Sequence, residues 1–134
     1  MFGFDHIDPE RILLDQEINL MIGVDIIRID RFESITIADY HWWQRVYTAK
    51  EWNYAFSKPL PKQHLAGFFA AKEAFLKSSD VSIGLVYRLI EVCHTKTGRP
   101  WLRVLVWPHP EVYVSISHEQ NFAIAVVTVA EKTK

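Results

Sequence analysis

Runs of apolar residues separated by turn residues divide the chain into a small number of predicted elements. The first run, Leu20 to Ile29, is nearly continuous and rich in Ile and Val, which is typical of a buried strand. It leads into a predicted helix near Asp30. Aromatic residues are dense between Ala38 and Phe56, where core packing is the favoured role. Within that segment Thr48 and Glu51 have the spacing of a capping box, which predicts the start of a helix.

The segment from Leu65 to about Ser78, which follows a loop at Lys58–Lys62, predicts a long helix that is buried on all sides. At about 100° per residue, one arc carries Leu and Phe side chains and the other carries Ala and Gly. Because neither arc is polar, this helix should lie inside the protein.

The second half of the chain predicts strands that pair in an antiparallel sheet. Two hairpins are expected from the alternation of apolar runs with Gly, Pro, Asn and Ser. The first pairs Leu85–Cys93 with Trp101–Trp107 around Thr95–Pro100, and the second pairs Tyr113–Ser117 with Phe122–Val129 around residues 118–121. One strand, then helices, then antiparallel strands indicate an α+β fold, with the sheet packed against the long buried helix.

Composition limits the class of protein. A chain of 134 residues that is 49% hydrophobic and 23% charged predicts one folded domain, placed at residues 20–134 with residues 1–19 as an N-terminal extension. A net charge of −1 gives no electrostatic argument for nucleic acid as a partner. Cys93 is the only cysteine, so no intrachain disulfide is possible and a reducing compartment fits. No apolar run approaches the roughly 20 residues of a membrane span. We therefore expect a cytoplasmic protein.

Two adjacent charges, Lys72 and Glu73, interrupt the buried helix. Since burying an unpaired charge is costly, both residues should have partners. One possibility is that they pair with each other, or that Glu73 pairs with Lys77 one turn later, and the helix alone favours this. The other possibility is that their partners are a metal ion and a phosphate.

Asp25 is a second carboxylate in an apolar setting, within Ile22–Ile27. A helix-capping role is plausible for it. Alternatively, if the end of the first strand meets the long helix, Asp25 and Glu73 could share one divalent cation. Mg²⁺ commonly takes one or two carboxylates and completes its shell with water and substrate phosphates.

The other candidates are weak signals when taken singly. His118 follows a predicted strand and, on its own, is most simply a surface turn residue. The turn Gly98–Pro100 fits a plain hairpin as well as a close approach to a nucleotide. The glycine-rich fingerprints of dinucleotide-binding and P-loop sites are absent from the sequence.

The order of these pieces is more specific than any one of them. Over about residues 20–130, the chain resembles the holo-acyl-carrier-protein synthase family of 4′-phosphopantetheinyl transferases. The motifs that carry the resemblance are, in order, Ile22-Gly-Val-Asp-Ile26, Leu65-Ala-Gly-Phe-Phe-Ala-Ala-Lys-Glu-Ala-Phe-Leu-Lys77, Gly98-Arg-Pro100 and Val114-Ser-Ile-Ser-His118.

The resemblance implies a catalytic centre built on the central helix. Asp25 and Glu73 match the family's metal carboxylates, which hold Mg²⁺ against the pyrophosphate of coenzyme A. Lys72 and Lys77 match the family's lysines, and Lys77 is expected near the phosphates as a catalytic residue. One of these lysines, and not necessarily both, should contact coenzyme A.

The resemblance also implies a binding site for the rest of coenzyme A. His118 matches a histidine at that site, and Gly98, Arg99 and Pro100 match a segment that lines the nucleotide. One departure matters: Phe68 stands where the family usually has Arg. A positively charged side chain that would contact the coenzyme A phosphates is therefore missing at this position. Arg99 or Lys62 is the expected substitute.

The implied reaction is attack by a serine hydroxyl of an acyl carrier protein on the β-phosphate of coenzyme A, which releases 3′,5′-ADP. The carrier would serve fatty acid or polyketide biosynthesis. It is an acidic partner, so Arg28, Arg31 and Arg45, on helices after the first strand, are the predicted dock. The family implies a homotrimer with sites between subunits. The alternative, favoured by Phe68, is a weakened homologue that only binds carrier protein or coenzyme A.

Overall fold

A computed structural model describes residues 18–79, 87–105 and 111–132 of the chain. Almost all of the predicted N-terminal extension, together with the start of one predicted strand and the end of another, lies outside these ranges. Within the part of the chain that is described, none of the helices combines the length and apolar character needed to cross a bilayer.

The described residues form five strands, three α-helices and three short 3₁₀ helices. The strands are β1 (Ile18–Arg28), β2 (Ile90–His94), β3 (Pro100–Val104), β4 (Glu111–His118) and β5 (Phe122–Lys132). The α-helices are α1 (Tyr40–Trp43), α2 (Ala49–Phe56) and α3 (Pro61–Ser78), and the 3₁₀ helices are Ile29–Phe32, Ile37–Asp39 and Tyr87–Leu89.

The strands form two antiparallel sheets, and the long helix α3 packs on the larger one. That sheet has the order β1-β5-β4, and β2 pairs with β3 in a separate hairpin. Helix α3 lies across β1 and β5. The predicted α+β class and the burial of the long helix are confirmed.

Strand β1 approaches α3 closely because residue 23 is a glycine. A Cβ atom at Gly23 would lie 1.9 Å from the carbonyl oxygen of Ala74 on α3. Side chains alternate along a strand, so Asp25 faces the same side as Gly23. The contact at Gly23 therefore brings Asp25 to the surface of the helix.

The segment before α3 folds largely as its sequence predicts. The hydroxyl of Thr48 accepts a hydrogen bond from the Glu51 backbone N–H, and the Glu51 carboxylate accepts one from the Thr48 N–H, so the capping box is confirmed. Tyr47 and Trp52 are buried in the core, as the core-packing prediction requires, whereas Trp42 is 76% exposed.

Some predicted boundaries differ from the observed ones. Helix α3 begins at Pro61, inside the segment predicted as a loop, because proline is well suited to the first turn of a helix. Residues Tyr87–Leu89 form a 3₁₀ helix instead of the start of β2. Apolar content alone does not distinguish such a short turn from a strand end.

Replacing Gly23 by Ala should destabilise the protein, because neither backbone can move without separating β1 from α3. Overpacking of this kind typically costs about 1–3 kcal/mol, and a clash with a backbone oxygen belongs at the upper end. Urea unfolding measures the change. Asn53→Ala on the exposed side of α2 is the control and should stay within about 0.5 kcal/mol. An equally small effect of Gly23→Ala would contradict the close contact.

Candidate active site

Asp25 meets the last turns of α3 through an ion pair with Lys77. The Lys77 ammonium donates to the Asp25 Oδ1 atom at 3.0 Å and to the Val24 carbonyl oxygen at 3.3 Å. The Asp25 side chain is 16% exposed and that of Lys77 is 54% exposed. The partner of Lys77 is therefore the strand carboxylate, and not Glu73 as the helical spacing favoured.

Glu73 lies one turn before Lys77 and is bound by a tyrosine. The Tyr87 hydroxyl donates to the Glu73 Oε1 atom at 2.9 Å. Burial raises the pKa of Tyr87 above its usual value. The pKa is raised further by the hydrogen bond to Glu73 and the charge of Glu73, and least by the charge of Asp25. The Asp25–Lys77 pair shows that the end of β1 meets α3, and Glu73 lies one helical turn before Lys77.

Lys72 points away from this site into the protein interior. Its side chain is fully buried against the Glu51 carboxylate at 2.8 Å. The ammonium also donates to the carbonyl oxygens of Ile90 at 2.5 Å and Tyr87 at 3.1 Å. Burial lowers the pKa of Lys72 and raises that of Glu51, and in each case the partner's charge opposes the shift.

The oxygens of Glu51, Ile90 and Tyr87 therefore use all three N–H donors of the Lys72 ammonium. This position argues against the coenzyme A contact that the resemblance implies for Lys72. Of the two lysines, Lys77 is the one whose ammonium lies at the carboxylates.

A second group of predicted residues meets near the first turns of α3. Gly98, Pro100 and His118 border one cavity of about 130 Å³. Gly98 has φ +89°, a backbone conformation that side chains rarely allow. The other lining residues are Tyr54, Gln63, His64, Gly67, Phe68, His94 and Ile116.

Arg99, between Gly98 and Pro100, has an exposed side chain, and its backbone N–H donates to Thr95 Oγ1.

Phe68, at the position of the missing cation, is only 2% exposed and packs among aromatic rings. Its ring centroid lies 5.5 Å from that of His94 and 5.9 Å from that of Tyr54. Lys62, one of the expected substitutes, lines a separate cleft of about 930 Å³ and donates to the Glu33 carbonyl oxygen. That contact does not support Lys62 as the substitute for the missing cation.

The three arginines of the predicted dock are exposed, but only one of them is on a helix. Arg28 is the last residue of β1 and forms an ion pair with Asp30 at 2.6 Å. Arg31 lies in the 3₁₀ helix that follows. Arg45 lies in the turn between α1 and α2. The expectation that all three are on helices is wrong, because the strand runs up to Arg28 and α1 ends before Arg45.

Comparison with known proteins assigns this architecture to a family. The sequence profile of the 4′-phosphopantetheinyl transferase superfamily matches residues 21–127. The chain belongs to this superfamily.

Relatives within the superfamily are named holo-[acyl-carrier-protein] synthase. The holo-[acyl-carrier-protein] synthase of Thermodesulfovibrio yellowstonii is 35% identical over 81% of this chain and 96% of its own length. The synthase of an Exiguobacterium species is 39% identical over 83% of this chain and 92% of its own length. The predicted enzyme class, holo-[acyl-carrier-protein] synthase, is confirmed.

Solved structures of the superfamily share the fold. The holo-(acyl-carrier-protein) synthase of Bacillus anthracis, in complex with CoA (3′,5′-ADP), has a TM-score of 0.69 and 31% identity, and the match covers 85% of this chain and 96% of that one. The Helicobacter pylori enzyme in complex with coenzyme A has a TM-score of 0.68 and 29% identity, with 81% and 99% covered.

The structure places beside the predicted site residues several side chains that the sequence did not point to. Glu51 was recognised as a helix cap, but its pairing with Lys72 across 21 positions leaves no local pattern. Tyr87, the donor to Glu73, lies in a segment that predicted a strand. His64 and His94 showed no ligand spacing, and only their place at the cavity identifies them.

Replacing Lys72 by Met should unfold the protein more readily while leaving the ligand site intact. The change leaves the buried Glu51 carboxylate without its cation, and breaking such a pair typically costs about 3–5 kcal/mol. Urea unfolding measures this loss, and calorimetry measures the coenzyme A dissociation constant of the folded variant. The double variant Lys72→Met with Glu51→Gln should recover part of the stability. A large loss of coenzyme A affinity without a loss of stability would contradict the structural role.

Proposed function

We propose that the protein transfers the 4′-phosphopantetheine group of coenzyme A to a serine of an apo acyl carrier protein, in a reaction that requires Mg²⁺. The observation that carries this proposal is the ion pair of Asp25 with Lys77, one helical turn from Glu73 and its hydrogen-bond partner Tyr87. Two carboxylates and an exposed ammonium on neighbouring turns suit a diphosphate and its cation.

In the proposed reaction the serine hydroxyl oxygen attacks the β-phosphorus of coenzyme A. A new phosphoester bond forms to serine, and the bond to 3′,5′-ADP breaks, so the leaving group departs with the bonding electrons. The serine proton must pass to a base, and Glu73 is the carboxylate we assign to this role. Lys77, 54% exposed, can turn from Asp25 toward the phosphate oxygens and stabilise their charge.

The residues present fit a bound magnesium ion. Asp25 and Glu73 offer hard carboxylate oxygens from facing elements, and Mg²⁺ often uses only one or two protein carboxylates. Among the described residues no cluster of three or more His, Cys, Asp or Glu suits a metal. This donor set favours a cation whose remaining positions are filled by water and substrate phosphate. When bound, Mg²⁺ would neutralise charge on the diphosphate.

The nucleotide part of coenzyme A is assigned to the cavity beside Gly98, Arg99, Pro100 and His118. The coenzyme A complexes of the similar B. anthracis and H. pylori enzymes support coenzyme A as the substrate. Along α3, His64 at the cavity and Glu73 at the carboxylates are about 14 Å apart, at ~1.5 Å per residue. This separation favours a site that joins the carboxylates of one copy to the cavity of another.

A homotrimer would supply such sites, and the outer face of the larger sheet supports it. Apolar side chains that are 37–62% exposed cover this face on β1 and β5. A contiguous apolar surface of this kind marks an interaction site. We assign it to further copies of this chain. The residues concerned are Leu20, Ile22, Val24, Ile26, Phe122, Ile124 and Val126.

The carrier protein is assigned to the surface that carries Arg28, Arg31 and Arg45. Exposed arginines suit an acidic partner, chiefly by speeding association. We place the enzyme in the cytoplasm, in the supply of carrier proteins for fatty acid or polyketide biosynthesis. Residues 20–134 are assigned to the transferase domain and residues 1–19 to an extension of it.

A second candidate function is a homologue that binds carrier or coenzyme A without efficient transfer. Phe68 favours it, because a buried apolar ring replaces a cation that the resemblance expects. The pairing of Asp25 with Lys77, and the nearby Glu73, speak for the transferase, since a pure binding protein needs no metal carboxylates.

Incubation with Mg²⁺, coenzyme A and an apo acyl carrier protein should add about 340 Da to the carrier, the mass of one phosphopantetheine group. Asp25→Ala and Glu73→Ala should abolish this gain, because each removes an oxygen donor to the cation. Mass spectrometry of the carrier is the measurement. Asp39→Asn, a carboxylate far along the chain from both, is the control and should retain transfer. Full transfer by both alanine variants would remove the metal assignment, and no transfer by the unaltered protein would favour the binding homologue.

Sites between copies should allow two inactive variants to complement each other. Co-expressed Asp25→Ala and His118→Ala chains would form mixed trimers in which some sites receive an intact acid pair and an intact cavity. With random assembly about a quarter of the sites would be intact, as symmetry between copies requires. Transfer activity of purified mixed trimers measures this. Activity no higher than the sum of the separate variants would contradict the shared site.

A further inference from the structure

Three imidazole rings converge on the cavity at the start of α3. His64 comes from α3, His94 from the end of β2 and His118 from the end of β4. The ring centroids of His64 and His118 are 6.0 Å apart in an edge-to-face arrangement. The ring centroid of Phe68 is 6.2 Å from that of His64 and 5.5 Å from that of His94. Rings from three elements thus border a space of about 130 Å³.

The ring nitrogens of these histidines are available to a ligand. His94 stacks flat on Tyr54, with centroids 3.8 Å apart and planes 4° apart, which leaves the ring edge open. Within the described ranges, no protein group forms a hydrogen bond with a ring nitrogen of His64, His94 or His118. None of these nitrogens is among the buried polar atoms without a partner, so they face accessible space. The three histidines also do not form a metal-binding group.

The charges around the cavity favour an anion. No Asp or Glu is among its lining residues. The ammonium of Lys58, in the turn after α2, lies 4.7 Å from the centre of the Tyr54 ring. Burial lowers the pKa of His64, and the positive charges of His118 and Lys58 lower it further. Burial also lowers the pKa of His94, and the positive charges of His64 and Lys58 lower it further. The titratable groups that face these two rings are therefore the neighbouring imidazoles, Lys58 and the Tyr54 phenol.

We propose that His64 and His94, together with His118, bind the 3′-phosphate of coenzyme A and take up a proton as they do so. This inference rests on the proposed function, in which the diphosphate of coenzyme A belongs to Asp25 and Glu73. The remaining phosphate is a monoester with up to two negative charges. Imidazolium is a charge-assisted donor to such oxygens, and the cavity offers three imidazoles whose ring nitrogens are not engaged.

The direction of the pH dependence follows from the free and bound states. In the free protein the pKa values of His64 and His94 lie below the usual 6.5, so both rings are mainly neutral near pH 7. A bound phosphate favours the protonated rings and raises their pKa. The complex then binds more protons than the free protein and the free ligand together. Affinity for the phosphate therefore increases as pH falls from about 8 toward 6.5, and it levels off below the pKa of the free rings. Below about pH 6 the phosphate itself gains a proton, which reverses the trend.

Calorimetric titration of the full protein with 3′,5′-ADP tests the proposal. Between pH 8 and pH 6.8 the dissociation constant should fall by up to about tenfold per pH unit for each proton taken up. Titrations in buffers of different ionisation enthalpy count the protons directly. His94→Asn and His64→Phe keep a polar or aromatic side chain in place, and each should reduce both the proton count and the pH slope. His41→Asn, at an exposed histidine of α1 that packs on Trp42, is the matched control.

A second ligand separates the two kinds of phosphate. Dephospho-coenzyme A lacks only the 3′-phosphate, so its binding should show no proton uptake that depends on His64 or His94. Wild-type proton uptake in both histidine variants, or equal uptake with dephospho-coenzyme A, would overturn the proposal. Because transfer to the carrier is measured separately by mass at pH 8, an active enzyme without this proton uptake would refute only the histidine assignment. An enzyme that neither transfers nor binds 3′,5′-ADP would refute both.

Discussion

The packing of β1 on α3 at Gly23 is the contact on which the candidate site depends. A Cβ atom at this position would lie 1.9 Å from the Ala74 carbonyl oxygen, so only glycine allows the strand to come so near the helix. Asp25 is two residues further on the same face, and at this separation its carboxylate reaches Lys77 at 3.0 Å. The close approach at Gly23 thus places the carboxylate of Asp25 at the last turns of the central helix.

The adjacent charged residues Lys72 and Glu73 of α3 have different partners because neighbouring helical residues point about 100° apart. Lys72 turns inward and joins the capping carboxylate Glu51, so one ion pair links α2, α3 and the β2 strand through the Ile90 carbonyl. Glu73 points elsewhere, and its carboxylate accepts a hydrogen bond from the Tyr87 hydroxyl. A buried pair of this kind is costly to break and so ties the helices together. Of these two positions, Lys72 therefore serves stability, and Glu73 is the one to which we assign the chemistry.

Helix α3 also separates the two groups of residues to which we assign the phosphates of coenzyme A. Near its C-terminus lie carboxylates and an exposed ammonium, a donor set for a diphosphate with a metal ion. Near its N-terminus lie imidazoles and aromatic rings, to which we assign the phosphate monoester and the proton uptake. The separation of the two sets along the helix is the reason we propose a site that joins two copies of the chain. The exposed apolar face of the larger sheet gives a physical reason for copies of the chain to associate.

The sequence by itself determined the fold class, the capping box at Thr48 and the buried central helix, because these depend on local spacing and periodicity. It also singled out Asp25, Glu73 and His118 through the order of their motifs. Only the tertiary structure decided the partners: Lys77 with Asp25, Lys72 with Glu51, and Tyr87 with Glu73. It likewise assembled the histidine cavity from three elements. Pairings between residues far apart in the chain leave no periodic signal, since they depend on how closely β1, α2 and β2 pack on α3.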